Sequence, residues 1–310
     1  MLLIGGASLV RGATGIAQSF NVPNIVIGLT VVAFGTSAPE LVINVTGALQ
    51  GKTDLAFGNA VGSNLANFGL VLGIAAIMSP IYLQGQVIRR EVPFLLLITA
   101  ILLVMVWDAP LSGTQALLDR GDAIILFLLF TVFVYFMVRD FISAEGDPLL
   151  VEGDNLSSKA SGNGLVNSAL LLIGLVLLVV GGEMTIDNGV AIAKIMGVSE
   201  VVIGMFVLAV GTSLPELVTS GIAAYKKETD LALGNIVGSN IFNSLVVLPA
   251  AAIIRPLPIP EGGDWDLAIG GAFVLVIIPL FLFSNARLGR LAGIGLITSY
   301  FLYLYIRFNF

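Results

Sequence analysis

The chain has 310 residues, of which 57% are hydrophobic and only 11% charged, and its mean hydropathy is +1.02. Soluble domains have roughly 45–50% apolar and about 25% charged residues, so this composition predicts an integral membrane protein. The sequence has no histidine and no cysteine, which excludes disulfides, thiolate metal sites, imidazole proton relays and Ser-His catalysis. The net charge of -6 is spread over short loops and gives no indication of a nucleic-acid partner.

Apolar runs of about 17 to 25 residues, the length that crosses roughly 30 Å of hydrocarbon, recur along the whole chain. They predict an all-α integral membrane protein with ten transmembrane helices, at residues 2–20, 24–49, 54–77, 92–107, 121–138, 165–189, 200–225, 230–254, 266–283 and 289–307. Only four residues precede the Gly-Gly pair of the first helix, whereas a long apolar run precedes the equivalent pair of the sixth. We therefore expect the first helix to be truncated at its start.

The longest polar stretch, residues 139–164, divides the predicted helices into five and five. Its five acids, two bases and several Gly and Ser residues are typical of a flexible linker, and they lack the spacing of an EF-hand. We expect a first repeat at residues 1–138, this linker at 139–164 and a second repeat at 165–310. Nine of the fourteen Lys and Arg residues lie on the linker's side: Arg11, Arg89, Arg90, Arg139, Lys159, Lys226, Lys227, Arg287 and Arg290. The positive-inside rule then predicts a multi-pass protein of the cytoplasmic membrane with a cytoplasmic linker.

The two halves are copies of each other. A shift of 176 residues aligns GTSAPE (35–40) with GTSLPE (211–216), and GNAVGSN (58–64) with GNIVGSN (234–240), without a gap. Residues 26–67 and 202–243 share 24 identities in 42 positions, including polar residues that a common apolar character does not explain. Because equivalent helices are five spans apart, an odd number, the copies enter the membrane from opposite sides. This inverted repeat is an architecture of secondary transporters.

A proline and a carboxylate interrupt the second predicted helix. Pro39 has no N–H, so the carbonyl of Gly35 loses its helical partner, and we expect the helix to kink or break there. Glu40 follows directly, and a carboxylate within the membrane indicates a functional site by default. Pro215 and Glu216 repeat the pattern in the second copy. We therefore expect both carboxylates at one central site, where they can neutralise a divalent cation and freed carbonyls can supply further ligands.

The helix after each break carries polar residues at i, i+4 and i+8, which places neutral oxygens near one face. These residues are Asn59, Ser63 and Asn67 in the first copy and Asn235, Ser239 and Asn243 in the second. Small-residue spacings predict close contact between these helices and their neighbours, at Gly58, Gly62, Gly234 and Gly238. Glu183 and Asp187 have no acidic counterparts in the first copy, and we interpret them as interfacial or loop-facing.

GTSAPE with GNAVGSNLAN, and GTSLPE with GNIVGSNIFN, resemble the two α-repeats of the cation/calcium exchanger superfamily, particularly its sodium/calcium exchanger branch and related prokaryotic members. The resemblance covers essentially the whole chain. It implies a transporter rather than an enzyme, with inverted halves and alternating access in which the first and sixth helices slide across a fixed core. It implies no cofactor, since Ca²⁺ and Na⁺ are bound as transported ions.

The resemblance also implies the ligands. They are the two central glutamates, two threonines that give backbone oxygens to calcium, four serines and two carbonyls at sodium sites, and the last polar position of each motif: Glu40, Glu216, Thr36, Thr212, Ser37, Ser213, Ser63, Ser239, Ala33, Ala209, Asn67 and Asn243. Some members of the superfamily carry Asp at the second or at both of the last two positions. Asn at both leaves two carboxylates in the site, so ion stoichiometry and the part played by potassium or protons stay open.

We therefore predict a Na⁺/Ca²⁺ antiporter in which the two ions compete for oxygens around the glutamate pair. The nearest alternative is a Ca²⁺/H⁺ or other cation/H⁺ antiporter using the same glutamates, since burial favours the protonated carboxyl. Proton-coupled branches more often carry GN-x-x-E, and Gly62 and Gly238 replace that Glu here, which favours sodium. The duplicated motifs argue against an intramembrane hydrolase, and the inverted half-sites argue against a passive channel. The expected partners are these ions and the lipid bilayer, and the sequence indicates no obligate protein partner.

Overall fold

The computed structural model describes residues 1–20, 22–82, 87–107, 116–144, 164–195, 209–283 and 287–309. Nearly all of these residues are helical, in agreement with the predicted all-α class. Two regions with sequence predictions lie outside the described residues: most of the linker expected at 139–164, and the first part of the helix expected at 200–225.

The described residues of the first half form six helices, two of which include a π-helical turn. Their bounds are α1, Leu2–Ser19; α2, which runs as Asn24–Ile27, the π-helical turn Gly28–Val32 and Ala33–Thr36; α3, Ala38–Leu49; α4, which runs as Thr53–Ala66, the π-helical turn Asn67–Val71 and Leu72–Met78; α5, Val92–Val106, which follows a π-helical turn at Val87–Glu91; and α6, Arg120–Ala144. The helix α1 continues past Arg11, and the expectation about its start stays a prediction.

The second half repeats this order. Its helices are α7, Gly164–Ile195; α8, Ala209–Thr212; α9, Leu214–Tyr225; α10, which runs as Thr229–Phe242, the π-helical turn Asn243–Val247 and Leu248–Ile254; α11, Gly263–Phe283; and α12, Arg290–Asn309. The π-helical turns that begin at Asn67 and Asn243 are 176 residues apart, so the duplication extends to this detail of backbone geometry.

Within the described residues, four helices are long and apolar enough to cross a membrane without interruption: Leu55–Met78, Arg120–Arg139, Gly164–Asn188 and Thr229–Ile254. The pair α2–α3 is a fifth candidate, with a bend of 42°. The total of ten spans therefore stays a prediction.

The predicted break in the second helix is present, and it lies at Ser37, between α2 and α3. Pro39 is not at the break itself but in the first turn of α3, where a missing N–H costs no intrahelical hydrogen bond. Pro215 has the same place in α9, after a break at Ser213. The sequence motif therefore starts a new helix inside the membrane rather than kinking a continuous one.

Two short antiparallel sheets join the two halves. Each sheet takes one strand from each half: β1 (Ile81–Tyr82) pairs with β4 (Arg287–Leu288), and β2 (Leu117–Leu118) pairs with β3 (Leu257–Pro258). An arginine beside each sheet donates to the end of a helix in the other half. Arg290 Nε donates to the carbonyl of Ile77 at 3.2 Å, and Arg120 Nε donates to that of Ile253 at 3.0 Å. The halves are therefore interlocked in two equivalent places.

Glycines allow α2 and α10 to pack with their backbones in contact. A Cβ atom on Gly28 would lie 2.8 Å from the carbonyl oxygen of Leu231, and one on Gly234 would lie 2.6 Å from that of Ile25. Gly238 is equally close to α2, since its Cβ would lie 2.5 Å from the carbonyl oxygen of Leu29. The predicted close contact is thus confirmed for Gly234 and Gly238, and it is wrong for Gly58, where an added Cβ would have no neighbouring atom within 4 Å.

The helices α1 and α7 pack along each other through a similar set of glycines. A Cβ atom on Gly12 would lie 2.6 Å from the carbonyl oxygen of Asn167, and one on Gly174 would lie 2.8 Å from that of Gly5. Glu183 and Asp187 are exposed on α7, as expected of interfacial residues.

The sheet that joins the halves can be tested by cross-linking, because the sequence has no cysteine. Tyr82 and Arg287 are register partners of β1 and β4. Directly opposed residues of an antiparallel pair lie within the distance that a disulfide spans. We expect the double variant Tyr82→Cys/Arg287→Cys to form a disulfide under mild oxidation, detected as a mobility shift that reductant reverses.

The matched control is Tyr82→Cys/Leu288→Cys. Successive residues of a strand point to opposite faces, so this pair should stay reduced under the same conditions. Equal cross-linking of the two pairs would show that the register is wrong.

Candidate functional site

The two helix breaks meet in the interior of the protein. Ser37, the residue at the first break, donates its hydroxyl to Oε1 of Glu216 at 2.9 Å, and Glu216 lies in the first turn of α9 after the second break. Glu40 has the equivalent place in the first turn of α3. Both glutamates are 0% exposed. The structure therefore brings the two predicted motifs together across the halves.

Both carboxylates lie where helix geometry favours negative charge. The N–H groups of a first helical turn have no intrahelical acceptors, and the helix dipole adds a partial positive charge there. Each break creates such an N-terminus within the protein, and each glutamate belongs to its first turn. The break and the carboxylate are thus parts of one arrangement.

The two carboxylates differ in their hydrogen bonds. Oε1 of Glu216 accepts from Ser37 and also from the hydroxyl of Ser239, at 3.3 Å. Oε2 of Glu216 and both oxygens of Glu40 have no hydrogen-bond partner among the described residues. Buried acceptors are rarely left in this state, so three carboxylate oxygens here are available to a ligand.

Hydroxyls and a carbonyl from both halves surround the glutamates. The Ser239 hydroxyl lies 3.5 Å from the carbonyl oxygen of Ala33 and 3.5 Å from the Thr36 hydroxyl. In the equivalent place, the Ser63 hydroxyl lies 3.2 Å from that of Thr212. The polar face of α10 therefore contacts the first break, and that of α4 contacts the second.

Two more of the predicted residues lie at the second break. The hydroxyl of Ser213 is buried and has no hydrogen-bond partner within the described part of the chain. Ala209 begins α8, four residues before Ser213, and its side chain lies outside the described residues.

Asn67 and Asn243, the last predicted ligands, are both 0% exposed. The amide nitrogen of Asn67 donates to Oδ1 of Asn240 at 2.9 Å, and that of Asn243 donates to Oδ1 of Asn64 at 3.2 Å. Neither Asn67 Oδ1 nor Asn243 Oδ1 has a hydrogen-bond partner among the described residues. The two amides thus offer two more free buried oxygens.

Each motif threonine is held by an asparagine of the other half. In the first break, the Thr36 hydroxyl donates to Oδ1 of Asn235 at 3.0 Å, and Nδ2 of Asn235 donates to the Ser220 hydroxyl at 3.0 Å. All three residues are 0% exposed. This chain fixes the threonine from a helix that belongs to the opposite repeat.

The second break has a longer chain of the same kind. The Thr212 hydroxyl donates to Oδ1 of Asn59 at 3.3 Å, and Nδ2 of Asn59 donates to Oδ1 of Asn44 at 2.8 Å. Nδ2 of Asn44 ends the chain on the carbonyl of Ala56, at 2.8 Å. Asn44 and Ser220 are equivalent positions with different residues, so the site is not fully symmetric.

The long helix α7 lies against both breaks. Gly35 contacts the side chain of Leu175, and a Cβ atom on Gly211 would lie 2.5 Å from Cγ1 of Ile186. Gly182 packs near Pro215, since its Cβ would lie 3.6 Å from the proline Cγ. These contacts are aliphatic, so α7 covers the site through non-directional packing.

The model of the sodium/calcium exchanger protein family matches residues 1–139 and 166–309 of this chain. The chain belongs to the sodium/calcium exchanger family. The match covers both halves, so the exchanger is a multi-pass membrane transporter, and the enzyme alternative is excluded.

Solved structures agree with this assignment. A structure of the sodium-calcium exchanger NCX_Mj, soaked with 2.5 mM Na⁺ and 1 mM Sr²⁺, is 30% identical in sequence, and the match covers 98% of this chain and 94% of that one with a TM-score of 0.83. A second NCX_Mj structure, soaked with 2.5 mM Na⁺ and 0.1 mM Ca²⁺, matches with a TM-score of 0.81 over the same shares. The predicted all-α membrane fold is thereby confirmed, and the count of ten helices in two inverted repeats stays a prediction.

Curated relatives match along nearly their whole length. The inner membrane protein YrbG of Escherichia coli is 34% identical over 96% of this chain and 90% of its own length. The sodium/calcium exchanger MaX1 of Methanosarcina acetivorans is 28% identical over 99% of this chain and 95% of its own. The name of MaX1 and the NCX_Mj structures support cation/Ca²⁺ exchange as the general activity of this exchanger.

Five polar residues around the site were not among the predicted ligands: Asn44, Ser220, Asn64, Asn240 and Ser244. Asn64 and Asn240 belong to the repeated GSN motif, so their recurrence was a signal that pointed to them. The other three differ from their counterparts under the 176-residue shift, and nothing in the sequence relates them to the helix breaks.

The chain of amides at the second break can be tested by stability measurements on the exchanger. We expect Asn44→Ala and Asn59→Ala each to cost about 1–3 kcal/mol, because each leaves a buried polar partner unpaired. The double variant should lose much less than the sum, since the two substitutions remove the same hydrogen bond. The measurement is the Tm in detergent.

Gln50 provides the control, because it is exposed at the end of α3. Asn44→Ala combined with Gln50→Ala should show additive effects. Additive losses for the pair of Asn44 and Asn59 would contradict the hydrogen-bonded chain.

Proposed function

We propose that this exchanger is a Na⁺/Ca²⁺ antiporter in which Glu40 and Glu216 are the central cation ligands. One observation carries the proposal: six buried oxygens around the two breaks have no hydrogen-bond partner among the described residues. They are Oε1 and Oε2 of Glu40, Oε2 of Glu216, Oγ of Ser213, and Oδ1 of Asn67 and Asn243. An uncompensated buried carboxylate costs several kcal/mol, so a cation bound among these oxygens would relieve that cost.

The chemistry of these oxygens suits calcium. Ca²⁺ takes about six to eight oxygen ligands in flexible geometry, and carboxylate, amide, hydroxyl and carbonyl oxygens are its usual partners. Two carboxylates match its charge. No group of three or more Asp, Glu, His or Cys residues occurs in the described part of the chain, so neutral oxygens would complete the coordination.

Sodium is the proposed counter-ion. The hydroxyls of Ser37, Ser63 and Ser239 and the carbonyl of Ala33 lie beside the glutamates, and hard neutral oxygens of this kind suit Na⁺. The packing at Gly238 also disfavours proton coupling through a glutamate at that position. A side chain there would collide with the carbonyl oxygen of Leu29, 2.5 Å from the Cβ position.

Exchange follows from competition for one set of oxygens. When Ca²⁺ occupies the glutamate pair, Na⁺ cannot bind there, and bound Na⁺ likewise excludes Ca²⁺. Names and structures of relatives support this pairing, since MaX1 is called a sodium/calcium exchanger and the NCX_Mj structures were soaked with Na⁺, Ca²⁺ or Sr²⁺.

Alternating access is proposed to use α1 and α7 as the moving elements. These helices pack on each other through glycines, and α7 contacts the breaks through the aliphatic side chains of Leu175 and Ile186. Aliphatic contacts are not directional, so such a helix can slide past the breaks at low cost. Movement in one direction would then open the site to one side of the membrane.

The proposed setting is the cytoplasmic membrane, with repeats at residues 1–138 and 165–310 and the intervening linker on the cytoplasmic side. The excess of Lys and Arg on the linker's side supports this orientation. The name of the relative YrbG, an inner membrane protein, agrees with the proposed membrane.

The deciding experiment is uptake of ⁴⁵Ca²⁺ into proteoliposomes loaded with Na⁺ and diluted into Na⁺-free medium. We expect rapid uptake, and we expect Glu40→Gln and Glu216→Gln each to reduce it by at least about 100-fold, because each removes one of two charges that face the ion in a buried site. Glu261→Gln should retain full uptake, since Glu261 is exposed between β3 and α11.

A second set of vesicles carries a pH gradient and no Na⁺. Uptake driven by the pH gradient alone would replace the proposal with a Ca²⁺/H⁺ antiporter that uses the same glutamates. Sodium-driven uptake that survives both glutamine substitutions would remove Glu40 and Glu216 from the site.

A further inference from the structure

We infer that Asn240 is a positioning residue that turns the amide oxygen of Asn67 toward the ion site and restricts position 67 to an amide. At the equivalent position in the second half, Asn243, an aspartate would be tolerated as well as an asparagine. This inference rests on the proposed ion site, and it explains how one half of the site is kept neutral.

The direction of the Asn240 amide is fixed by a backbone carbonyl. Nδ2 of Asn240 donates to the carbonyl oxygen of Asn64 at 3.1 Å, and Asn240 is only 2% exposed. A carbonyl oxygen can only accept, so the amide nitrogen must lie on that side. Oδ1 of Asn240 therefore faces the other way, toward Asn67.

Asn67 is oriented in turn by this oxygen. Its Nδ2 donates to Oδ1 of Asn240 at 2.9 Å, so its own Oδ1, the other arm of the planar amide, points away from Asn240. That oxygen is buried and has no hydrogen-bond partner among the described residues. An amide is the side chain that fits, because it carries a donor on one side and an acceptor on the other.

An aspartate at position 67 would meet this arrangement unfavourably. An ionised carboxylate has no donor, so one of its oxygens would lie at hydrogen-bond distance from Oδ1 of Asn240, acceptor against acceptor. Rotation of Asn240 does not solve the problem, because it would place Oδ1 of Asn240 against the Asn64 carbonyl instead. The added negative charge near a cation is therefore offset by this repulsion, and a protonated carboxyl, which could donate to Oδ1 of Asn240, would add no negative charge to the site.

The second half lacks this restriction. Asn243 donates to Oδ1 of Asn64 at 3.2 Å, and Nδ2 of Asn64 donates to the hydroxyl of Ser244 at 3.0 Å. A hydroxyl can donate or accept, so the Asn64 amide can turn over and offer its nitrogen to an aspartate at position 243. Ser244 would then donate to Oδ1 of Asn64. The residue equivalent to Ser244 in the first half is Phe68, which has no polar side-chain atom.

The test compares two matched substitutions, Asn67→Asp and Asn243→Asp, which change the same atom at equivalent positions. The measurement is the Kd for ⁴⁵Ca²⁺ at equilibrium on the purified full-length protein in detergent. We expect Asn67→Asp to weaken binding by about tenfold, because a buried acceptor faces another acceptor. We expect Asn243→Asp to bind Ca²⁺ at least as tightly as the wild type.

Removal of Asn240 provides the rescue. Asn240→Ala should weaken binding by about threefold or more, because the Asn67 amide can then turn its nitrogen toward the ion. In that background Asn67→Asp should strengthen binding, since a carboxylate presents an oxygen in every orientation and no acceptor opposes it. If Asn240 had a purely structural role, its removal would not turn the loss of Ca²⁺ affinity caused by Asn67→Asp into a gain.

Equal effects of Asn67→Asp and Asn243→Asp would overturn the inference, and so would a loss caused by Asn67→Asp in both backgrounds. If Asn67→Asp alone fails to give a monodisperse protein on size exclusion, the comparison of Asn240→Ala with Asn240→Ala/Asn67→Asp decides: a gain supports the inference and a loss rejects it. Glu40→Gln and Glu216→Gln are measured in the same assay. Undiminished binding by those two variants rejects the proposed ion site itself, whatever the asparagine variants do.

Discussion

Two fully buried carboxylates in an apolar helical protein set the constraint on which the rest of the structure depends. A buried charge must be compensated, and the sequence places no Lys or Arg in α2, α3, α4, α8, α9 or α10. Compensation has to come from dipoles, from uptake of a proton or, under the proposed function, from a bound cation. The helix breaks supply the dipoles, because each creates a helix N-terminus at depth with Glu40 or Glu216 in its first turn. An unbroken helix would offer no free N–H groups there.

The same constraint explains why neither half is sufficient alone. Ser37 of the first break donates to Glu216 of the second, and the threonine of each break is held by an asparagine from the other repeat. Polar atoms at each break are therefore satisfied in part by the other half. The two mixed sheets and the glycine contacts between α2 and α10 maintain this arrangement from outside. A change of backbone position at one break must consequently alter the hydrogen bonds at the other.

Much of the site was predictable because its residues belong to short sequence motifs that occur twice in the chain. A proline followed by a glutamate within an apolar run, found twice at one spacing, indicates a break and a buried charge without knowledge of the fold. The location of the break was less predictable: Pro39 is accepted in the first turn of a new helix, so the chain breaks at Ser37 before it. Asn44 and Ser220 could not be found, because their roles arise from hydrogen bonds to Asn59 and Asn235 on the following helix, and the two copies carry different residues at this position.

Under the proposed function, the cost of burying the two carboxylates also explains why transport would be an exchange. A protein with an unoccupied site would have to carry two uncompensated charges through the occluded state, which costs several kcal/mol per charge. A bound Ca²⁺ or Na⁺ removes that cost, so only loaded forms cross at an appreciable rate. The neutral amides at positions 67 and 243 keep the negative charge at two. A third carboxylate at position 243 would raise the affinity for a divalent cation, but it would also have to be neutralised whenever sodium took its place.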